Sequence, residues 1–335
     1  MRANMRILAS VGRSVYHRPM TYQIFIDGGA GTTGLQVLDR LDAHPDVKAV
    51  RLSDDLRKDS NARRDMMAAS DITILCLPDD AARDSAVMAA DLGARVIDAS
   101  SAHRTDPDWA YGFAELAGDQ RAAIAGARQI SNPGCYPTGF LALTRPLIDA
   151  GILPTDALVT VPAVSGYSGG GNAMINRNEA GELPPHGSYG VSLQHKHIPE
   201  MAHYSGLSID PIFMPSVGNF YAGMLVHLPL HAAQLSGSVT GQDIYDALAA
   251  HFDGAAFVRM GATSANDDGA MAQTGLLAAD ALAGQNHMEL FVFHNAASGQ
   301  FWLTARLDNL GKGASGAAVQ NMNIVLGLDE TTGLV

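Results

Sequence analysis

Cysteine is nearly missing from this sequence: Cys76 and Cys135 are the only two in 335 residues. Two thiols cannot build a disulfide framework, and a reducing, cytoplasmic compartment suits them best. A basic surface is missing as well, with 22 Lys and Arg against 34 Asp and Glu and a formal net charge of −12. Phosphate backbones need a basic face, so nucleic acid is excluded as a partner. No apolar run approaches the ~20 residues of a membrane span, so no membrane role is expected. Internal repeats and low-complexity tracts are absent. What remains is the composition of an ordinary globular protein, 47% hydrophobic and 17% charged, in a chain long enough for two cores.

Acidic residues are also absent from positions 1–19, where Arg2, Arg6, Arg13 and Arg18 occur. Such a stretch resembles a transit peptide. Met20, however, begins Met20-Thr21-Tyr22-Gln23-Ile24 directly before the first strand pattern. Residues 1–19 are therefore read as a disordered extension or a mis-assigned start.

Strand and helix patterns alternate through the first part of the chain. Strands are expected at Tyr22 to Asp27, Val47 to Ser53, Ile72 to Leu77 and Arg95 to Ala99. Between them lie helical patterns: one with Leu35, Leu38 and Leu41 on its apolar face, then Asn61 to Ala69 and Asp80 to Leu92. This alternation implies a doubly wound parallel sheet of the α/β class. From about Pro137 the pattern changes to longer strands, at Leu158 to Val164, Tyr221 to Leu230, Met288 to His294 and Phe301 to Leu307. Asn295 to Gly299 has the composition of a hairpin turn. A helix over Gln242 to His251 would be capped by Thr240, with Asp243 in its first turn. Together these predict an α+β unit with a mostly antiparallel sheet, followed by a helix over Ala314 to Leu326.

Gly28-Gly29-Ala30-Gly31-Thr32-Thr33-Gly34 follows the first strand and opens the first helix. Glycines there let the backbone approach a pyrophosphate, which the helix N-terminus attracts. Ser53, Arg57 and Lys58 follow the second strand beside Asp54 and Asp55, and could bracket the 2′-phosphate of NADP. The alternative is a solvated cluster of charges at a helix start.

Cys135 lies in Ser131-Asn132-Pro133-Gly134-Cys135-Tyr136-Pro137-Thr138-Gly139. Proline suits the first helical position, so Pro137 places Cys135 at or just before a helix N-terminus. The positive end of the helix is expected to lower the thiol pKa and favour thiolate. Cys76, inside Ile72 to Leu77, reads as a buried strand residue. His195, His197 and Glu200 supply a candidate base and a carboxylate to orient it. With His203 they could also ligate a metal, but no cysteine cluster completes that pattern and no metal is expected. Ser165, Gly166, Tyr167 and Ser168, after an apolar strand, suit an anionic or amide substrate. Arg104 closes Asp98-Ala99-Ser100-Ser101-Ala102-His103-Arg104 and could fork onto a phosphate.

Assembled, these segments resemble the N-acetyl-γ-glutamyl-phosphate reductases, in particular their shorter, type 2 branch. The resemblance runs from about Tyr22 to Leu328. It rests on the glycine segment, Asp98 to Arg104, Ser131 to Thr138, His195 to Glu200 and Leu307 to Ala318. One departure is Gly29, where that branch is expected to carry a larger residue. The resemblance implies a Rossmann-like NADP domain over 20–135, completed by a C-terminal helix within 312–335. It implies an α+β catalytic and dimerisation domain over 136–311, of the type in aspartate-semialdehyde and glyceraldehyde-phosphate dehydrogenases. It further implies NADPH-dependent reduction of N-acetyl-L-glutamyl 5-phosphate to the 5-semialdehyde through a thioester on Cys135, in arginine biosynthesis. His197 would be the acid/base, oriented by Glu200, with His195 and Asn132 on the substrate. Pro78, Asn309, Gly313 and Ala314 would lie along the cofactor, and the chain would form a homo-oligomer, dimer or tetramer. The same thiol chemistry would serve aspartyl phosphate or a carrier-linked aminoadipyl phosphate. A non-catalytic NADP sensor or a thiol hydrolase are the readings from other classes.

Overall fold

The computed structural model describes residues 21–29, 31–261 and 275–334; the expected N-terminal extension lies outside them. The first sheet is built from short apolar runs: β1 (Tyr22–Asp27), β2 (Val47–Val50), β3 (Ile72–Leu75), β4 (Val96–Asp98), β5 (Ala110–Tyr111) and β6 (Gln129–Ser131). All pair in parallel, in the order β2-β1-β3-β4-β6-β5. Every residue of β3 is buried, as expected where helices cover both faces of a parallel sheet. Those helices include α1 (Thr32–Asp42), α2 (Ser60–Ala69), α3 (Asp79–Leu92) and α4 (Gln120–Gly126). Asp59 caps α2 by accepting from the Ala62 amide, and Gly93, at φ 62°, ends α3 in the left-handed conformation. The chain leaves β1 to one side for β2 and crosses to the other for β3. That switch opens a crevice at the carboxyl ends of β1 and β3, where such sheets bind ligands.

Two strands end two or more residues sooner than their sequence pattern suggests. β2 stops at Val50 and β3 at Leu75; Leu52, Ser53, Cys76 and Leu77 leave the ladder to line the crevice. Leu35 is a related correction. It was expected on the buried face of α1, yet it is 46% exposed and lines the same crevice, while Val37 and Leu41 are fully buried.

The second sheet has the order β11-β12-β13-β10-β7-β9-β8. Its strands are β7 (Thr160–Gly166), β8 (His186–Ser188), β9 (Ile212–Gly218), β10 (Met224–His231), β11 (Val258–Met260), β12 (Met288–Asn295) and β13 (Gln300–Leu307). Four neighbouring pairs are antiparallel; β7/β9 and β11/β12 are parallel. One face packs against α5 (Cys135–Asp149) and α8 (Gly241–His251). Thr240 and Asp243 cap α8 reciprocally. The opposite face leaves Ile212, Met214 and Trp302 about half exposed.

After β13 a π-helical turn (Gly311–Ser315) leads into α9 (Gly316–Leu326). Ala318, Val319, Met322 and Val325 of α9 join Ile24, Ile26, Ile74 and Ile97 in the core of the first sheet. The chain thus returns to the parallel layer, and the π-turn is held between the two sheets.

Candidate active site

Cys135 is the first residue of α5, with Gly134 in extended backbone as its cap. Pro137 is therefore the third helical residue and not the first. The amides of Cys135 and Tyr136 have no partner one turn back, as at any helix start, and both bear on the sulfur. They do not prevail. Burial pushes the Cys135 thiol up to about 11, against the opposing pull of Arg104 and the two amides. Burial thus works against the expected resting thiolate and favours a thiol that loses its proton during reaction. Cys76 lies just past β3, half-buried, and its thiol is pushed up to about 12 by burial, with Asp98 and Asp27 adding to it.

The Cys135 turn is fixed by Glu200, at the start of α7 (Ile198–Ser205). Glu200 is 1% exposed. Its Oε1 accepts from the Gly134 amide at 2.8 Å and the Tyr111 hydroxyl at 2.7 Å. Its Oε2 accepts from Arg104 at 3.2 Å. Arg104 also donates to the Asn132 carbonyl at 3.0 Å and the Ala99 carbonyl at 3.4 Å. Arg104 is positioned in turn by its neighbour His103, whose Nδ1 bonds Asp98 at 2.7 Å while its ring stacks on Trp109. Two sequence readings change here. Glu200 forms no hydrogen bond with His197; it holds the turn that carries Cys135. Arg104 uses three of its five N–H donors on that turn and the loop after β4, while still lining the cavity.

His197 lies at the N-cap of α7 and is 7% exposed. A Cβ placed on Gly134 would stand 2.7 Å from His197 Nε2 and 2.6 Å from Arg104 Nη1, so both reach the space beside the thiol's own turn. His197 Nδ1 is buried with no hydrogen-bond partner. Burial holds His197 well below the usual histidine range, with Arg104, His195 and Lys196 adding to the effect. The ring is therefore neutral at pH 7 and able to accept a proton. His195 is half-buried, its Nδ1 accepts from the His197 amide at 3.2 Å, and burial followed by Lys196 and Arg104 lowers it too.

One cavity, of about 460 Å³, brings together Cys135, Arg104, Asn132, His195 and His197. Ser165, Gly166 and Ser168 form another wall. Tyr167 does not line it; its ring packs edge-on against Tyr221. Asn309, Gly313 and Ala314 close the cavity from the π-turn side. Asn309 accepts from the Gly223 amide at 2.8 Å and donates to Ser168 at 3.0 Å, fixing the loop after β7. Asn132 donates to the Ala314 carbonyl at 2.9 Å and accepts from Asn321 of α9 at 3.1 Å. A Cβ on Gly313 would stand 2.8 Å from that of Cys135, so the π-turn lies directly on the thiol. Lys196 and Tyr189 also line the cavity and were missed in the sequence. Tyr189 bonds the Tyr136 hydroxyl at 3.2 Å. Among the described residues no His, Cys, Asp or Glu cluster is arranged to hold a metal; His203 packs its ring on Tyr204.

A second cleft, of about 760 Å³, runs along the glycine turn and is lined by Gly28, Gly31, Ser53, Arg57 and Pro78. The residues fit a dinucleotide. Gly28 has φ 93°, and a Cβ there would stand 2.5 Å from the Cys76 carbonyl oxygen. Gly34 is pressed against Gly29, whereas a Cβ on Gly31, at the N-cap of α1, would meet nothing within 4 Å. The turn thus presents open backbone at a helix N-terminus, the geometry that receives a pyrophosphate. Thr32 and Thr33 open α1 with their backbone; their side chains lie outside the described structure. Arg57 pairs loosely with Asp54 at 3.6 Å. Arg51 lines the cleft beside Arg57, whereas Lys58 does not line it. The two cavities share Gly31, Cys76 and Leu77.

A parallel sheet with a glycine turn, continuous with a thiol at the helix start of a second, mixed-sheet unit, defines the semialdehyde dehydrogenase class. Two family models match accordingly: "Semialdehyde dehydrogenase, NAD binding domain" over residues 23–125 and "Semialdehyde dehydrogenase, dimerisation domain" over residues 135–309. Within that class, the chain belongs to the N-acetyl-gamma-glutamyl-phosphate reductases. It is 47% identical over 320 residues to the N-acetyl-gamma-glutamyl-phosphate reductase of Trichormus variabilis, covering 93% of this chain and 99% of that one. It is 47% identical over 314 residues to that of Brucella anthropi, covering 92% and 99%. Among solved structures, aspartate semialdehyde dehydrogenase II from Vibrio cholerae superposes with a TM-score of 0.67 at 16% identity, over 92% of this chain and 99% of that one. At that identity the likeness establishes the fold.

Proposed function

We propose that this chain reduces N-acetyl-L-glutamyl 5-phosphate to N-acetyl-L-glutamate 5-semialdehyde and phosphate, with NADPH, as a step of arginine biosynthesis. The observation that carries the reading is the continuity of the thiol cavity with the glycine-turn cleft at Gly31, Cys76 and Leu77. A dinucleotide laid along the cleft has its reactive end led to Cys135. Gly28, Gly31 and Gly34 would hold its pyrophosphate, Pro78 and the loop after β2 its adenosine end, and Asn309, Gly313 and Ala314 its nicotinamide. Ser53, Arg51 and Arg57 support NADP over NAD, because they offer hydroxyl and guanidinium donors to a 2′-phosphate. Residues 20–135 with 312–335 would form the cofactor unit and 136–311 the catalytic unit.

Cys135 attacks the acyl carbon while neutral His197 takes its proton. The sulfur–carbon bond forms, the carbon–oxygen bond to phosphate breaks, and phosphate leaves with that electron pair to be protonated by water. The amides of Cys135 and Tyr136, at the start of α5, would offer donors to the developing oxyanion. When bound, the nicotinamide supplies a hydride to the thioester carbon. The oxyanion then reforms its carbonyl, the carbon–sulfur bond breaks, and the thiolate recovers its proton from His197. His195, Asn132, Ser165, Gly166 and Ser168 would bind the substrate.

The half-exposed face of the second sheet, with Ile212, Met214 and Trp302, supports self-association of the unit whose family description reads dimerisation domain. Among the described residues no helix is long and apolar enough to cross a membrane; a cytoplasmic enzyme is proposed. Run in reverse, purified protein with N-acetylglutamate semialdehyde, phosphate and NADP should form NADPH. Formation should need phosphate, fail with aspartate semialdehyde, weaken with NAD and vanish in Cys135→Ala. Turnover persisting in Cys135→Ala would overturn the covalent route.

A further inference from the structure

Among the described residues, one cation lining the thiol cavity forms neither a salt bridge nor a hydrogen bond. Arg104 is committed to Glu200, Asn132 and Ala99, so its charge is balanced within the protein. Lys196 lies between the two histidines, is exposed, and lines the same cavity as Cys135. Among the described residues it forms no salt bridge and no hydrogen bond. Its charge is felt across the cavity mouth. Burial is the main reason both histidines are held neutral, and Lys196 adds to it in each. At Asp79, in the first turn of α3, burial acts upward and is outweighed by bonds from Ser101, with Lys196 and Arg104 helping to hold the carboxylate down. Lys196 thus lines the thiol's cavity with its charge reaching both histidines and Asp79, and among the described residues it is held by no hydrogen bond or salt bridge.

We propose that Lys196 forms an anion subsite of the thiol cavity and takes an oxyanion of the substrate, either its phosphate or its free carboxylate. An unpaired, flexible ammonium is suited to a ligand that arrives and leaves as a charged group, whereas a buried guanidinium locked in three bonds is suited to holding a turn. The identity of the ligand rests on the function proposed above; the existence of the subsite does not.

The test is protection of Cys135 against iodoacetamide, a neutral reagent, read by mass of the Cys135 peptide in the full-length protein. Inorganic phosphate and N-acetyl-L-glutamate are titrated separately into wild type, Lys196→Met and Lys196→Arg. Lys196 is exposed, so neither variant threatens the fold. The half-protecting concentration should rise about tenfold in Lys196→Met and recover most of the way in Lys196→Arg. A rise for phosphate alone assigns the subsite to the leaving group; a rise for N-acetyl-L-glutamate alone assigns it to the carboxylate. Equal protection of Lys196→Met and wild type, or no protection of wild type by either anion, overturns the proposal. A wild type that both anions protect through Lys196, yet that is inactive with N-acetylglutamate semialdehyde, keeps the subsite and removes the substrate reading.

Discussion

Replacing Glu200 by glutamine separates two roles for that carboxylate. The exchange keeps the shape and removes the charge. At Oε1 two donors converge, the Gly134 amide and the Tyr111 hydroxyl, so the new amide oxygen must stay there. The new NH₂ group then faces Arg104 Nη1, donor against donor, where the carboxylate accepted at 3.2 Å. Arg104, 8% exposed, is left as a buried cation without its counter-ion. Breaking a buried pair by removing one partner costs about 3–5 kcal/mol. Glu200→Gln should therefore lower the urea midpoint of unfolding, followed by the fluorescence of Trp109, which stacks on His103 beside Arg104. Reductase turnover should fall about 100-fold or more, since a shift of the thiol of about 1 Å is enough for that. If Glu200 instead served to orient His197, the variant would keep its unfolding midpoint and change only the pH dependence of turnover. An unchanged midpoint would therefore refute the clamp.

Three further outcomes are expected. Burial holds the Cys135 thiol near 11, so the thiolate fraction rises with pH all the way from 7 to 10. Alkylation of free enzyme by iodoacetamide should increase close to tenfold per pH unit over that range; a plateau near neutrality would show a lowered thiol. Gly313→Ala would put a methyl group 2.8 Å from the Cys135 Cβ and 3.1 Å from the Asp308 carbonyl oxygen. Steady-state kinetics should show a drop in kcat of about 100-fold, and wild-type kcat would mean the π-turn does not bear on the thiol. Trp302→Asp places a charge in the half-exposed sheet face; sedimentation should show a smaller assembly than wild type, and an unchanged oligomer would move the interface elsewhere.

The parallel sheet was legible because its strands are short apolar runs divided by helical patterns, and each run leaves the same trace wherever its partners lie. Strand ends were read too long at Ser53 and Leu77 for a reason tied to function. Residues past the carboxyl ends stay apolar or small because they line a cleft, and sequence does not distinguish facing a ligand from facing a neighbouring strand. Leu35 was misplaced on the same ground. Cys135, His195 and His197 could be picked out because a thiol at a Pro-Gly turn and paired histidines are chemically unusual. Their settings could not, since burial competes with helix dipole and neighbouring charge, and burial is a property of the assembled fold.

The charged residues were the hardest to read, and Lys312 shows why. It sits among glycines and small residues in Gly311-Lys312-Gly313-Ala314-Ser315, where a lysine ordinarily marks a solvated loop. Yet it is 1% exposed, with its ammonium near the faces of Phe113 and Phe257. It donates to Glu115 at 2.7 Å and Gln320 at 2.6 Å, and Gln320 donates back to Glu115 at 2.9 Å. Removing any one member would strand a buried polar group, at about 1–3 kcal/mol or more where it is charged. These partners lie in the loop after β5 and in α9, so the network fastens the π-turn to the parallel layer. The same turn presses Gly313 onto Cys135 from the other side. Glu200 and Lys312 thus do matched work from opposite units. One holds the backbone before the thiol and the other the backbone across from it, which sets the thiol at the junction where a hydride donor must meet an acyl group.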